Sequence, residues 1–232
     1  MTFVKKSLFD GKGYEKDIYR PLTPSVYPPK YQRYIKEETA LLKQKLKGSE
    51  SVLEAGVGIG RVMKDIAPLV KKFVGVDKSE FMIRTSKNVA KKYPNVTILK
   101  LDLENLSKKF RPHYFSYSLC LWNTIGNTTN EVKVLQELSI VTKNSVFITV
   151  HKKGKIEDRK KWYKTVGIPI VKADDKKEIF YFEGDVQSRA YSLEDLTHVA
   201  SKAGLSVKNA QTLGGVVLWV ELEKKNHAER LA

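Results

Sequence analysis

The chain has 232 residues, 41% of them hydrophobic, and a formal net charge of +16. That length is enough to bury the core of one average-to-large domain, and no run of about 18 apolar residues is present, so no membrane span is expected. The start, Met1-Thr2-Phe3-Val4-Lys5-Lys6, lacks the apolar stretch of a secretory signal, and the single cysteine, Cys120, allows no disulfide within the chain, so a reducing cytoplasm is expected.

Residues 1–34 are rich in tyrosine and proline (Tyr14, Tyr19, Pro21, Pro24, Tyr27, Pro28, Pro29, Tyr31, Tyr34). They read as an irregular arm, either packed on the core or folded over a ligand as a lid. Residues 34–47 have helical spacing, with Ile35, Leu41, Leu42 and Leu46 on one face and Gly48 as the stop. Strands and helices then alternate. Strands are expected at 51–55, 73–77, 96–101, 114–121 and 145–150, and helices at 61–70, 80–93 and 130–141. This rhythm specifies a parallel sheet with helices on both faces. Residues 152–191 break it and read as an insertion over the active-site end, with a hairpin around Gly184-Asp185. Ser192 caps a helix over 193–203, which Gly204 closes. Strands at 205–208 and 216–222 finish the fold. A single domain is expected: the arm, a cofactor-binding core over 35–150, the insertion, and a C-terminal helix with strands over 192–222.

The lysine excess is spread along the chain and is densest between Lys152 and Lys164. Such charge suits nucleic acid or an acidic small molecule, and equally a solvated surface with no such role.

The sharpest chemical signal is Glu54-Ala55-Gly56-Val57-Gly58-Ile59-Gly60-Arg61, followed 17 residues after Gly60 by Asp77 at the end of Val74-Gly75-Val76-Asp77. Glycines after a buried strand turn the chain into a helix and let a ligand touch the main chain. A carboxylate at the end of the next strand is placed to bond a ribose diol, which is the layout of a nucleoside site in a doubly wound sheet. The dinucleotide fingerprint is G-x-G-x-x-G. Here the spacing is G-x-G-x-G, and Arg61 holds the place of the late glycine. Glu54 would repel a pyrophosphate but tolerate an ammonium and a sulfonium. An NAD site and an empty turn are the alternatives.

This segment resembles motif I of the class I S-adenosylmethionine-dependent methyltransferases, E/D-x-G-x-G-x-G. Asp77-Lys78-Ser79-Glu80-Phe81-Met82 is similar to the same family's D-x-S-x-x-M. The resemblance implies an α/β, doubly wound, Rossmann-like, mostly parallel seven-stranded sheet with an antiparallel last strand. It also implies S-adenosylmethionine as cofactor, held by Glu54, Gly56, Gly58, Gly60, Asp77, Lys78, Met82, Asp102, Leu103 and Leu121. In that scheme Asp102 meets the adenine amino group and the following backbone amide meets the ring. Read without the resemblance, Asp77 is a helix cap and Asp102 a turn aspartate.

After the fourth strand comes Trp122-Asn123-Thr124-Ile125-Gly126-Asn127. Methyltransferases of ring-borne amino groups in nucleic acid often carry D/N-P-P-Y/F there, whereas this loop looks like that of small-molecule N- and O-methyltransferases such as the glycine N-methyltransferase-like group. Trp122 and Asn123 are therefore expected to face the substrate, with core packing as the alternative for Trp122. His151 and Asn123 are the candidates for catalysis, a surface histidine being the plainer reading of His151. The histidines lack metal-ligand spacing, so no metal is expected. The expected acceptor is a small molecule, with RNA as the alternative.

Overall fold

The computed structural model describes residues 24–183 and 186–225. The first part of the arm, the Gly184-Asp185 turn and the tail beyond 225 lie outside the described residues.

Helix α1 (Pro29–Leu46) starts at the second proline of a pair, five residues before the expected start. Proline at the first helical position has no amide to waste and already holds the helical φ. The stripe buried by α1 is Tyr31, Tyr34, Glu38, Leu42 and Leu46, so a carboxylate occupies a core position. The chain continues through β1 (Val52–Ala55), α2 (Met63–Ile66), β2 (Phe73–Asp77), α3 (Glu80–Ala90), β3 (Val96–Lys100), α4 (Leu106–Lys109), β4 (Phe115–Cys120), α5 (Glu131–Val141) and β5 (Thr142–His151). The helix expected over 61–70 is a correction: it splits into α2 and a 3-10 turn, Ala67–Leu69, where Pro68 cannot extend the α-helical ladder.

The insertion holds α6 (Ile156–Val166), which lysine-rich composition concealed, and a small antiparallel sheet of β6 (Lys172–Asp174), β7 (Ile179–Tyr181) and β8 (Gln187–Arg189). Helix α7 (Leu193–Lys202) begins with a full capping box between Ser192 and Asp195. Strands β9 (Leu205–Leu213) and β10 (Val217–Lys224) are the last elements among the described residues, with β9 five residues longer than expected.

The main sheet has seven strands in the order β3-β2-β1-β4-β5-β10-β9, and β10 alone runs against the others. Strand side chains divide between two cores by alternation. Val52, Phe147, Val217 and Trp219 face α1, α2, α3 and α6, whereas Leu53, Val146, Ile148, Leu218 and Val220 face α4, α5 and α7. Alternation therefore turns Glu54, Thr149 and His151 toward the α1 face. The strand order reverses between β1 and β4, and the crevice at their carboxyl ends is where such sheets bind ligands.

Candidate active site

On one side of the crevice lies the glycine turn after β1. Gly56 has φ 79°, and a Cβ there would sit 2.7 Å from Thr124 in the loop after β4, so the two loops meet only because residue 56 has no side chain. Gly58, at φ 53°, has no atom within 4 Å of where its Cβ would be. That open backbone is a cradle for a ligand. The Gly58 amide donates to Asp77 Oδ2 at 3.0 Å, and the Ser79 amide donates to Oδ1 at 2.9 Å. Asp77 thus joins the ends of β1 and β2, while the cap of α3 is Ser79, whose Oγ accepts from the Met82 amide. Burial pushes the Asp77 carboxyl up, against the pull of those amide donors.

Glu54 is 4% exposed, and its Oε2 is buried with no hydrogen-bond partner. Burial pushes its carboxyl up to about 8, against the pull of Arg61. An unpartnered buried acceptor costs about 1–3 kcal/mol, and a cationic donor beside the glycine turn would satisfy it. An ammonium group fits this donor set and a pyrophosphate does not. Of the other expected cofactor residues, Met82, Leu103 and Leu121 are buried and Lys78 is exposed. Asp102 is exposed and accepts the Glu104 amide at 3.0 Å, capping the 3-10 turn Leu103–Asn105.

Across the crevice the loop after β4 has two consecutive left-handed residues, Trp122 at φ 53° and Asn123 at φ 61°. Each such residue costs of order 1–3 kcal/mol unless its surroundings fix it. Here they do. The Trp122 amide donates to Thr149 Oγ1 and the Asn123 amide to the Thr149 carbonyl, both at 2.8 Å. Asn123 Oδ1 accepts from the His151 amide at 3.1 Å, and Nδ2 donates to Ser188 Oγ at 3.0 Å. Asn123 thereby ties the loop to β5 and β8 with its side chain engaged by protein groups.

Trp122 is half-buried among aromatic rings. It stacks on Tyr27 and Tyr34, each at 5.2 Å between centroids, and meets Trp162 edge-on at 5.5 Å. His151 is buried, correcting the plainer expectation of a surface histidine, with its ring 6.0 Å from both Tyr31 and Trp162. Burial, helped by Arg159, holds its imidazole well below the usual histidine range, so the ring is neutral. Its Nδ1 lies 3.5 Å from Tyr31 Oη.

Glu38 joins the two sides. It is fully buried, takes Tyr34 Oη and Arg61 Nη2 at 2.5 Å each, and accepts Thr149 Oγ1 at 3.0 Å. Arg61, at the end of the glycine motif, is thereby locked to α1 and lies 5.8 Å from the Trp122 ring. Sequence reasoning passed over Glu38, Thr149, Arg159 and Trp162. The signal for Glu38 was present, since it falls on the apolar stripe of α1 at helical spacing.

Sheet order, an open glycine cradle and an unpartnered acid beside it describe an α/β protein whose crevice fits a nucleoside cofactor that bears a cation. Residues 52–145 match the family model described as a methyltransferase domain. Among solved structures, the PH0226 protein from Pyrococcus horikoshii OT3 is similar with TM-score 0.70 and 20% identity, over 90% of this chain and 99% of that one. A SAM-dependent methyltransferase from Aquifex aeolicus gives 0.64 and 18%, over 88% and 98%. The 1,6-didemethyltoxoflavin-N1-methyltransferase from Burkholderia thailandensis, with bound 1,6-didemethyltoxoflavin and S-adenosylhomocysteine, gives 0.64 and 14%, over 83% and 79%. At these identities the likeness is one of fold. No curated protein matches the chain in sequence. Residues 52–145 therefore form a methyltransferase domain on a Rossmann-like fold, and the donor set beside the glycine turn fits S-adenosylmethionine as the cofactor. No helix among the described residues is long and apolar enough to cross a membrane.

Proposed function

We propose that the enzyme methylates a nitrogen or oxygen of a small molecule held between the arm, the loop after β4 and α6. The observation that carries this reading is the aromatic cluster at the carboxyl edge of the sheet: Tyr27, Tyr31, Tyr34, Trp122 and Trp162 around a neutral His151. Aromatic walls suit an enclosed, water-poor pocket for a small ligand. An RNA substrate calls for an open basic groove. Two lysines of the densest stretch are instead spent on local acids: Lys153 on Asp195, and Lys160 on Glu157 and Asp175. The toxoflavin-precursor methyltransferase of the same fold supports a small acceptor by analogy.

In this reading Glu54 receives the cofactor's ammonium. Gly56, Gly58 and Gly60 lie against its methionine part, and Asp77 bonds the ribose. Asp102 and the Leu103 amide meet the adenine, with Lys78, Met82 and Leu121 completing the walls. S-adenosylmethionine supplies an electrophilic methyl group on its sulfonium. The protein then has to align the acceptor and keep water out. Trp122 and the arm tyrosines exclude water. Asn123 fixes the loop that carries Trp122. Neutral His151 is available to take a proton from an acceptor hydroxyl, whereas an amine acceptor needs only to arrive unprotonated. Cys120 is a buried free thiol, which supports the cytoplasm as the compartment.

Filter binding tests the acceptor class. Contact with several phosphates makes affinity fall steeply with salt. The expected result is no tight RNA binding at physiological salt. Sub-micromolar binding there, with methyl transfer into the RNA, would establish RNA as the substrate.

A further inference from the structure

Arg159 is fully buried on α6, yet no carboxylate lies within ion-pair distance of it among the described residues. Its two terminal nitrogens hold the insertion together: Nη1 donates to the Glu178 carbonyl at 2.8 Å and Nη2 to the Ser188 carbonyl at 2.7 Å, with the Phe180 ring 4.4 Å from the guanidinium carbon. Its Nε has no partner. One turn further along α6, Trp162 is 4% exposed and its Nε1 also has no partner. Residues three apart on a helix lie on one face, so one face of α6 carries two buried, unused N–H donors, one of them on a cation.

Bridging two carbonyls does not require a charge, and burying an uncompensated cation is costly. Both features make sense if a ligand anion completes the arrangement. The surroundings agree on the sign. His151, 6.0 Å from Trp162, is neutral, and the Glu178 carboxyl, whose Oε2 is also buried without a partner, forms no ion pair with Arg159. The walls are aromatic: Trp162 also touches Tyr27, Tyr31, Trp122 and Tyr163.

We infer that the methyl acceptor is an aromatic or similarly flat molecule bearing a carboxylate, whose two oxygens take the N–H groups of Arg159 Nε and Trp162 Nε1. A planar two-oxygen acceptor matches two neighbouring donors, and a charged donor makes the contact strong. The carboxylate serves to bind and orient; methyl transfer occurs elsewhere on the molecule. This inference rests on the small-molecule reading above and names its substrate class.

The test is nitrogen-edited NMR of the full chain saturated with S-adenosylhomocysteine. The chain has three tryptophans, so the indole region is simple, and the signal missing from Trp162→Phe identifies Trp162. The probes are benzoate and phenylacetate, their neutral amides, and phenyl phosphate. The carboxylates are expected to move the Trp162 indole signal and the amides to leave it in place. Trp162→Phe keeps an aromatic ring while losing the indole donor, and is expected to weaken phenylacetate binding about tenfold. Arg159→Gln is expected to abolish it; if that variant does not fold, Trp162→Phe decides alone. Equal response to acid and amide, no response to either carboxylate, or a response to phenyl phosphate alone would overturn the inference. Because the readout is binding, it stays separate from the proposed function: a chain that binds carboxylates here but methylates RNA would refute that reading only.

Discussion

The two halves of the crevice are built by opposite means. The cofactor half is made of backbone: an open glycine cradle, amides that meet in Asp77, and one buried acid, all between residues 54 and 79. The acceptor half is made of side chains drawn from distant parts of the chain. Tyr31 meets His151 across 120 positions, Tyr34 meets Thr149 across 115, and Trp122 stacks on Tyr27. The first half can bind only what fits a fixed main-chain shape. The second can be respecified by changing rings and charges without touching the sheet. Both halves hold buried polar atoms without partners: Glu54 Oε2 on one side, and Arg159 Nε, Trp162 Nε1 and Glu178 Oε2 on the other.

The strongest way to break this division is at Glu38, which spans it. Glu38→Gln leaves Arg61, whose side chain is 20% exposed, without its carboxylate partner. Loss of one member of a buried pair costs about 3 kcal/mol at the low end of the usual range. Urea denaturation should show that loss, and a loss under about 1 kcal/mol, the scale of an exposed pair, would mean that the pair does not join the halves.

Asp77→Ala acts on the cofactor half alone. Removing an acceptor that serves two amides and, in the proposed reading, the ribose should weaken S-adenosylhomocysteine binding by roughly 1.5–3 kcal/mol. Calorimetry on the folded variant checks this, and unchanged affinity would reduce Asp77 to a loop staple.

Tyr27→Leu acts on the acceptor half alone. It removes the ring stacked on Trp122, worth about 0.5–1.5 kcal/mol beyond area. The acceptor KM should rise several-fold while cofactor affinity stays put. If cofactor affinity fell equally, the halves would not be separable.

The smallest effect is the most specific. Burial pushes the Glu54 carboxyl up to about 8 in the folded chain, from an ordinary value of 4.5. The folded state therefore keeps a proton that the unfolded state has lost across that window, and stability should fall as pH rises through it. Glu54→Gln should flatten this fall. An ammonium bound by Glu54 needs the ionised form, so S-adenosylhomocysteine binding at pH 7 should release a proton. Calorimetry in buffers of different ionisation enthalpy would show it in the wild type and not in Glu54→Gln.

The same contrast explains what could be read in the sequence. The alternation of elements, the Ser192 cap of α7 and the glycine motif with Asp77 are local patterns, and local patterns survive in a single chain. Gly58 and Asp77 were legible together because each strand end projects its loop to the same edge. The acceptor half was legible only in part. The tyrosines of the arm and Trp122 could be named, but not their stacking, which depends on contacts across about 95 positions between Tyr27 and Trp122. Glu38 was missed because a charge on an apolar stripe reads as an exception until Arg61 is seen beside it. The lysines of α6 hid the turn-spaced Arg159, Trp162, Tyr163 and Val166 that face inward.

The central claim is that the cofactor half delivers a methyl group to a small molecule enclosed by the aromatic half. It is tested most directly by incubating the purified protein with methyl-labelled S-adenosylmethionine and a cell extract, then separating RNA from small metabolites. The account predicts label in the metabolite fraction, lost with Asp77→Ala. Label confined to the RNA fraction would contradict it.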